Sequence, residues 1–280
     1  MGHIAFQGEL GAYGHEACVE AHPEMEPLPC ATFEDALAAV REGRADMAMI
    51  AVENSTYGRV ADVHRLLPES GLRIVGEHFV RVRIALMARP GTALADVRRV
   101  RAHLVLLPQC GAFLRENGIE PVAAADSAGA ARQLAQGGRG EGEGVLASEL
   151  AARTYGLEVL ARDIEDHGHN TTRFVTMARE AAAPPPGGMV KTTFVFRVRN
   201  IPAALYKAMG GFATNGVNMT KLESYMIDGA FTATQFYADV EGHPEDPPLR
   251  RALEELDYFT DHLDVLGVYP ADPEHFDGGH

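Results

Sequence analysis

Two short polar segments carry the residues whose side chains could do chemistry. Asn170-Thr171-Thr172-Arg173-Phe174 opens one apolar run, and Glu53-Asn54-Ser55-Thr56 follows another that spans residues 47–52. Their hydroxyl, amide and guanidinium groups are hydrogen-bond donors suited to an anionic small molecule. Open α/β sheets place their ligands beyond strand ends, so we expect the two segments to meet in one site.

The segment after residue 52 has a plainer interpretation, because Ser and Thr are common helix caps. A cap needs one such residue, whereas four polar residues stand here in a row, which favours ligand contact, with Asn54 and Ser55 the best candidates. Glu53 could be an acid if burial raised its pKa, and an orienting role is equally compatible with the sequence.

Strand alternation sends Thr172 and Phe174 to one face and Arg173 to the other. Arg173 therefore either turns into a cleft at the strand end or braces two lobes by pairing with an acid, and bracing is slightly favoured. A third cluster, His103, Gln109 and Cys110, is more typical of satisfied core or loop residues, because nothing fixes a Cys–His spacing for catalysis.

A glycine-rich loop, residues 7–15, lies between a predicted strand and helix. Backbone amides at a helix start carry partial positive charge and can hold a carboxylate. Gly11, Ala12 and Tyr13 are therefore predicted to bind substrate, although a structural role for the loop is an equal alternative. The loop does not have the spacing of a dinucleotide-binding fingerprint.

The bulk composition limits the class of protein. A chain of 280 residues with 46% hydrophobic residues predicts a full core and two domains. The formal net charge of −14 argues against nucleic acid as a partner. The absence of a long apolar run argues against a membrane span, and the N-terminus does not read as a signal peptide. Three cysteines without metal-ligand spacing favour a reduced, cytoplasmic compartment.

Before residue 181, short apolar runs alternate with helical patterns, which predicts a mostly parallel sheet with covering helices. A helix is expected from about Tyr13 to Ala21, and Ser148 should cap another. The rhythm repeats, so we expect two lobes, residues 1–78 with 163–180 and residues 79–162. The cleft between them is the natural binding site.

Residues 181–188 contain three prolines and two glycines and read as a linker. Residues 189–270 follow the order βαββαβ, which is that of a ferredoxin-like module able to fold alone. Its exposed sheet edges favour pairing with a second copy. Residues 271–280 are expected to form a tail.

Together these motifs resemble those of bacterial prephenate dehydratase, from Ile4 to about Tyr269. Val52-Glu53-Asn54-Ser55 with Gly58 matches the family's Glu-Asn-Ser motif, and Asn170 with Thr172-Arg173-Phe174 matches its Thr-Arg-Phe motif. The stretch from His103 to Cys110, and Tyr155-Gly156-Leu157, are similar to two further family elements. The resemblance implies a two-lobed, periplasmic-binding-protein-like catalytic domain with a central cleft.

The resemblance also implies the reaction: prephenate loses water and carbon dioxide to give phenylpyruvate, in phenylalanine biosynthesis, without metal or organic cofactor. Hydroxide is a poor leaving group, so the site must donate a hydrogen bond or proton to it. Thr172 maps to this role, and neutral donors would orient the substrate without stabilising the carboxylate that must leave. The implied catalytic residues are Thr172, Asn54, Ser55, Glu53 and Gln109. The implied substrate-binding residues are Gly11, Ala12, Tyr13, Thr171, Arg173 and Phe174.

The last third resembles an ACT regulatory domain. Ile201-Pro202-Ala203-Ala204-Leu205 stands where that family has a Gly-Ala-Leu turn, and Leu222-Glu223-Ser224 where it has Glu-Ser-Arg-Pro, with Tyr225-Met226 in place of Arg-Pro. The resemblance implies feedback by L-phenylalanine and a homodimer or homotetramer formed through these domains. The implied allosteric residues are Ala203, Ala204, Leu205, Asn218, Glu223 and Ser224.

Two other functions remain open from sequence. An enzyme of the same type could act on arogenate instead of prephenate. A non-enzymatic amino-acid sensor would share the plan of a two-lobed cleft with a ligand-binding module, but a sensor usually carries a segment for nucleic acid or a partner, and the sequence shows no basic helix or spare domain for one.

Overall fold

A computed structural model describes residues 2–60, 63–137, 140–181, 183–184, 189–199, 201–227 and 230–273. The fold over these residues is α/β, with the strands arranged in a larger sheet and a smaller one. Within these ranges, no helix has both the length and the apolar character needed to cross a membrane. Most of the predicted linker, the turn at residues 228–229 and residues 274–280 of the predicted tail lie outside the described residues.

The strands are β1 His3–Gln7, β2 Glu26–Cys30, β3 Met47–Asn54, β4 Gly58–Arg59, β5 Arg73–Arg81, β6 Ala85–Ala88, β7 Arg99–His103, β8 Glu120–Ala124, β9 Glu143–Ala147, β10 Glu158–Ala161, β11 Thr171–Ala178, β12 Val190–Val198, β13 Met219–Ile227, β14 Ala230–Glu241 and β15 Thr260–Pro270. The α-helices are α1 Tyr13–Ala21, α2 Phe33–Arg41, α3 Val63–Glu69, α4 Gly111–Glu116, α5 Ser127–Ala135, α6 Glu149–Tyr155, α7 Ala204–Thr214 and α8 Pro247–Phe259. Short 3₁₀ turns cover Leu94–Asp96 and Leu107–Cys110.

The larger sheet has the strand order β13-β14-β12-β15-β5-β11-β3-β1-β2, and the smaller has the order β10-β6-β9-β7-β8. The prediction of a mostly parallel sheet is wrong, because both sheets contain parallel and antiparallel pairs of strands. β1 is parallel to β2 and β3, whereas β11 is antiparallel to both β3 and β5. The chain leaves the larger sheet after β5, builds the smaller sheet, and returns as β11 in the opposite direction.

The predicted helix over Tyr13–Ala21 and the Ser148 cap are confirmed; the Ser148 hydroxyl accepts a hydrogen bond from the Ala151 amide at the start of α6. The crossover to the smaller sheet comes slightly later than predicted, because β5 continues to Arg81. Each sheet has its own buried apolar cluster, around Ile50 and Val175 in the larger and around Leu86 in the smaller.

Strands β12 to β15 with helices α7 and α8 follow the predicted order βαββαβ, which we call the C-terminal module (residues 189–270). Stacked aromatic rings fill its core, with Phe194 on Phe212 and Phe196 on Phe236. The module does not have a separate sheet, because β15 pairs with β5 of the larger sheet. Gly267 of β15 pairs with Ile74 of β5, and a Cβ at position 267 would lie 2.3 Å from the Ile74 carbonyl oxygen. Glycine therefore permits the close approach that joins module and lobe.

Candidate active site

A cavity of about 410 Å³ lies between the two lobes. Strand ends and loops of the larger sheet form one side, and residues around the Leu107–Cys110 turn and the start of α6 form the other. The wall includes the apolar side chains of Met49, Val82 and Phe174. Its central polar side chains are Asn54, Gln109, Asn170 and Thr172.

Strand pairing brings the two predicted polar segments together. β3 and β11 are antiparallel neighbours, with Thr172 opposite Asn54 and Arg173 opposite Glu53. Because side chains alternate along a strand, the Asn54–Thr172 pair faces the cavity and the Glu53–Arg173 pair faces away from it. Residues more than 100 positions apart in sequence thus form one cluster.

The orientation of the Asn54 amide follows from its neighbours. Its Oδ1 accepts hydrogen bonds from the backbone amides of Thr56 and Tyr57, both at 3.0 Å. Its Nδ2 must then be the donor, to Asn170 Oδ1 at 2.6 Å and to Thr172 Oγ1 at 3.0 Å. Both amide hydrogens of Asn54 are therefore used inside the protein, and its effect on a ligand is to hold Thr172 in place.

The same chain of hydrogen bonds continues into the other lobe. Asn170 Nδ2 donates to Gln109 Oε1 at 2.6 Å, and Gln109 Nε2 donates to the Val105 carbonyl at 2.8 Å. The Tyr57 hydroxyl reaches the same carbonyl at 3.0 Å. Backbone groups fix both ends of this hydrogen-bond network, so each of its three side-chain amides can adopt only one orientation. The network ties the lobes together across the cavity floor.

The Thr172 hydroxyl is the group that this network leaves available. It accepts from Asn54, and among the described residues it has no hydrogen-bond acceptor for its own hydrogen. A hydroxyl that accepts a hydrogen bond becomes a better donor through the polarisation of its O–H bond. The site therefore presents one oriented hydroxyl donor beside an apolar wall.

Comparison with known proteins identifies the family. The family model described as prephenate dehydratase matches residues 4–182. A bifunctional N-acyl-homoserine lactone acylase/prephenate dehydratase from Komagataeibacter europaeus is 56% identical over 96% of each chain. An arogenate dehydratase/prephenate dehydratase from Arabidopsis thaliana is 38% identical over 96% of this chain and 73% of its own length.

The chain belongs to the prephenate dehydratase family. It is therefore a lyase. The solved prephenate dehydratase from Arthrobacter aurescens, in complex with L-Phe, has a TM-score of 0.87 and 30% identity, covering 96% of this chain and 89% of that one.

The prediction that amides of the glycine-rich loop hold a carboxylate does not hold for Gly11 and Ala12, and it stays a prediction for the Tyr13 amide. The amides of Gly8, Gly11 and Ala12 donate to the Cys30 carbonyl, to a His15 ring nitrogen and to the Glu9 carbonyl, respectively. These three donors are already used inside the protein, so Gly8, Gly11 and Ala12 shape the cavity wall instead. The Tyr13 side chain lines the cavity but donates its hydroxyl hydrogen to the Arg83 carbonyl at 2.9 Å.

Gly11 has a structural reason to be glycine. Its φ is +89°, and a Cβ there would lie 2.7 Å from Ala151 Cα in α6. Its carbonyl accepts a hydrogen bond of 2.7 Å from the Ser148 hydroxyl. The loop is thus a contact between the lobes at the rim of the cavity.

Ser55 and Thr171 are not among the cavity-lining residues, although both were predicted to be in the site. The Ser55 hydroxyl donates to the His169 carbonyl and accepts from the Thr171 amide, both at 2.9 Å. Ser55 therefore fastens the loop after β3 to the start of β11. Phe174, in contrast, lines the cavity as predicted.

Arg173 does not reach the cavity, which corrects its assignment as a substrate-binding residue. Its guanidinium donates to Glu77 at 2.7 Å, Glu53 at 2.8 Å, Asp239 at 2.5 Å and the Tyr269 hydroxyl at 3.0 Å. Asp239 and Tyr269 belong to the C-terminal module. Arg173 therefore does pair with acids, as the favoured prediction held. It connects the larger sheet to the C-terminal module, however, and not one lobe to the other.

Glu53 is a carboxylate and not an acid in this environment. Burial alone would raise its pKa, but Arg173 and Lys221, both bonded to it, lower the pKa to about 2. It therefore stays ionised near neutral pH and has no proton to donate.

Two functional candidates were not singled out in the sequence. Asn170 was noted only as part of a motif, although it links Asn54 to Gln109. Arg59 lines the cavity and donates to the Ser224 carbonyl of the module at 3.0 Å. Its position one residue after Gly58, in the hairpin that follows Asn54, is the sequence signal that could have indicated it.

Proposed function

We propose that the protein is a prephenate dehydratase that converts prephenate to phenylpyruvate. In this reaction the bond from the ring to its carboxylate breaks, and its electron pair moves through the diene and expels hydroxide. One proton is taken up, so the dianion yields phenylpyruvate, carbon dioxide and water. The observation that carries the proposal is the Thr172 hydroxyl, held by Asn54 and directed at a cavity between the lobes.

Thr172 is the proposed catalytic residue. A threonine hydroxyl is too weak an acid to release its proton alone, so it donates a hydrogen bond to the leaving oxygen while the proton arrives through water. Most of the rate enhancement from Thr172 would come from preorganisation, because Asn54 holds its hydroxyl in place before substrate binds. Asn54, Asn170 and Gln109 act as positioning residues.

The apolar wall suits the rest of the substrate. Met49, Val82 and Phe174 would contact the ring, which becomes aromatic during the reaction. The amide side chains around Thr172 are uncharged, so they would not strongly stabilise the negative charge of the ring carboxylate, and loss of carbon dioxide is not opposed. The direct test is formation of phenylpyruvate from prephenate by the purified protein; absence of turnover under conditions where the protein is folded would refute the proposal.

Two other activities have specific support and belong in the same assay. The Arabidopsis relative is named for both arogenate and prephenate, which differ in an amino or keto group on the side chain. The Komagataeibacter relative is also named as an N-acyl-homoserine lactone acylase, and the apolar wall could accept an acyl chain. Comparing kcat/KM for prephenate, arogenate and an acyl-homoserine lactone ranks the three.

For regulation, we propose that the C-terminal module is an ACT domain that binds L-phenylalanine and pairs with a second copy. The βαββαβ order supports this, as does the relative solved with L-Phe. The proposed ligand residues are Ala203, Ala204, Leu205, Asn218, Glu223 and Ser224. Calorimetry with L-phenylalanine and light scattering of the purified protein test the two parts; no heat and a monomeric mass would refute them.

A further inference from the structure

The proposed function leaves one charge on the substrate without a partner. Prephenate has a side-chain carboxylate that survives into the product, so a cation there binds substrate without opposing the loss of carbon dioxide. The amides of Gly8, Gly11 and Ala12 are already used and do not supply this partner. Among the described residues that line the cavity, Arg59 is the one with a lysine or arginine side chain.

The backbone holds Arg59 beside the catalytic pair. β4 folds back on β3, with Gly58 opposite Asn54 and Arg59 opposite Glu53. Gly58 has a φ of +77°, a conformation that favours glycine and permits the tight reversal. The Arg59 backbone is thus fixed one residue from the level of Asn54 and Thr172. Its side chain starts on the face of Glu53, toward the C-terminal module, so it must turn toward the cavity to meet a ligand there.

The Arg59 guanidinium is held by weak partners of the C-terminal module. It donates to the Ser224 carbonyl at 3.0 Å and lies 4.0 Å from the Glu223 carboxylate. The side chain is 44% exposed, and Glu223 also lies 3.9 Å from Lys221. An exposed ion pair at this distance contributes little, whereas a carboxylate in the cavity can form a charge-assisted, bidentate pair with a guanidinium.

We propose that Arg59 binds the side-chain carboxylate of the substrate and that Glu223 and Ser224 of β13 compete with the substrate for the same guanidinium. This inference rests on the proposed function and adds its regulation. A shift of β13 toward Arg59 would weaken substrate binding, and substrate would weaken the contact with β13 by the same factor. Glu223 and Ser224 were predicted to be allosteric residues, so the link would connect the regulatory site with the cavity.

Arg59→Gln tests the first half of the proposal. Loss of one charge-assisted contact should raise KM for prephenate about 10- to 100-fold. kcat should change little, because the contact is the same in the bound substrate and the transition state. Binding of phenylpyruvate, measured by calorimetry, should weaken to a similar extent because the product keeps this carboxylate.

Glu223→Gln tests the competition. Removing the carboxylate frees the guanidinium, so KM should fall about 2- to 5-fold, the range for loss of one exposed ion pair. Arg65→Gln is the matched control, since Arg65 is exposed, pairs with Glu34 and Glu69, and is not among the cavity-lining residues. Its KM should equal that of the wild type.

The outcomes separate this inference from the proposed function. A wild-type protein that does not turn over prephenate refutes the proposed function itself. A wild type that does, together with a folded Arg59→Gln variant of unchanged KM and phenylpyruvate affinity, overturns only the role of Arg59. A Glu223→Gln variant with unchanged or higher KM overturns the competition with the module.

Discussion

Replacing Arg173 by methionine should destabilise the protein strongly without touching the cavity. The guanidinium lies among three carboxylates, two of which, on Glu77 and Asp239, have fully buried side chains. After its removal, Glu77 keeps Lys191 at 2.8 Å and Glu53 keeps Lys221. Asp239 keeps the Thr193 hydroxyl at 2.6 Å and a longer-range attraction to Lys191, and no second cation among the described residues lies within ion-pair distance of it.

The cost is therefore that of one buried carboxylate left without a directly paired cation, about 3 kcal/mol in the free energy of unfolding, at the lower end of the range for a broken buried ion pair. Urea titration followed by circular dichroism near neutral pH measures it by linear extrapolation. Arg65→Met, which removes an exposed arginine, should change the free energy by less than about 0.5 kcal/mol.

The double variant Arg173→Met with Asp239→Asn makes this reasoning refutable. If the orphaned carboxylate causes the loss, neutralising it should recover a large part of the stability, at least about 1–2 kcal/mol. A single variant that loses less than about 1 kcal/mol would refute the reasoning, as would a double variant no more stable than the single one.

Further predictions concern the glycine-rich loop and α1. Gly11→Ala should cost at least about 2 kcal/mol, because it adds a clash with Ala151 to left-handed strain. Gly91 has a φ of +83° and no atom near the position of an added Cβ, so Gly91→Ala should show the cost of backbone strain alone. Equal losses of stability in the two variants would contradict a contribution from the clash with Ala151. Burial, with repulsion from Glu20, raises the pKa of Glu16 to about 7. The stability associated with its protonated form is present below about pH 4.5 and is lost as pH rises through about 7. Glu16→Gln should therefore raise Tm at about pH 8 but not at about pH 4, and equal shifts at both would contradict it.

The meeting of Asn54 with Thr172 could be predicted from sequence, because strand ends and side-chain alternation are local properties. The same alternation placed Arg173 on the opposite face. Its partner could not be predicted, since periodicity gives a face but not the element that covers it. Asp239 lies 66 residues away in the C-terminal module.

The join between β15 and β5 was missed for a related reason. In the sequence Gly267 looks like an ordinary strand glycine, and only the structure shows that Ile74 packs against it. The amides of Gly11 and Ala12 were misassigned because a sequence shows that a donor exists but not whether the fold already satisfies it. Gly11 illustrates this, since the acceptor for its amide is a His15 ring nitrogen. Arg59 was overlooked because its significance depends on β13, which is distant in sequence.

The most direct test of the central claim compares Thr172→Ala with Thr172→Ser in phenylpyruvate formation from prephenate. Alanine removes the oriented hydroxyl and should lower kcat by about 10²-fold or more, with little change in KM. Serine keeps a hydroxyl within reach of Asn54 and should retain kcat within about tenfold of the wild type. A Thr172→Ala variant with near-normal kcat would contradict the account.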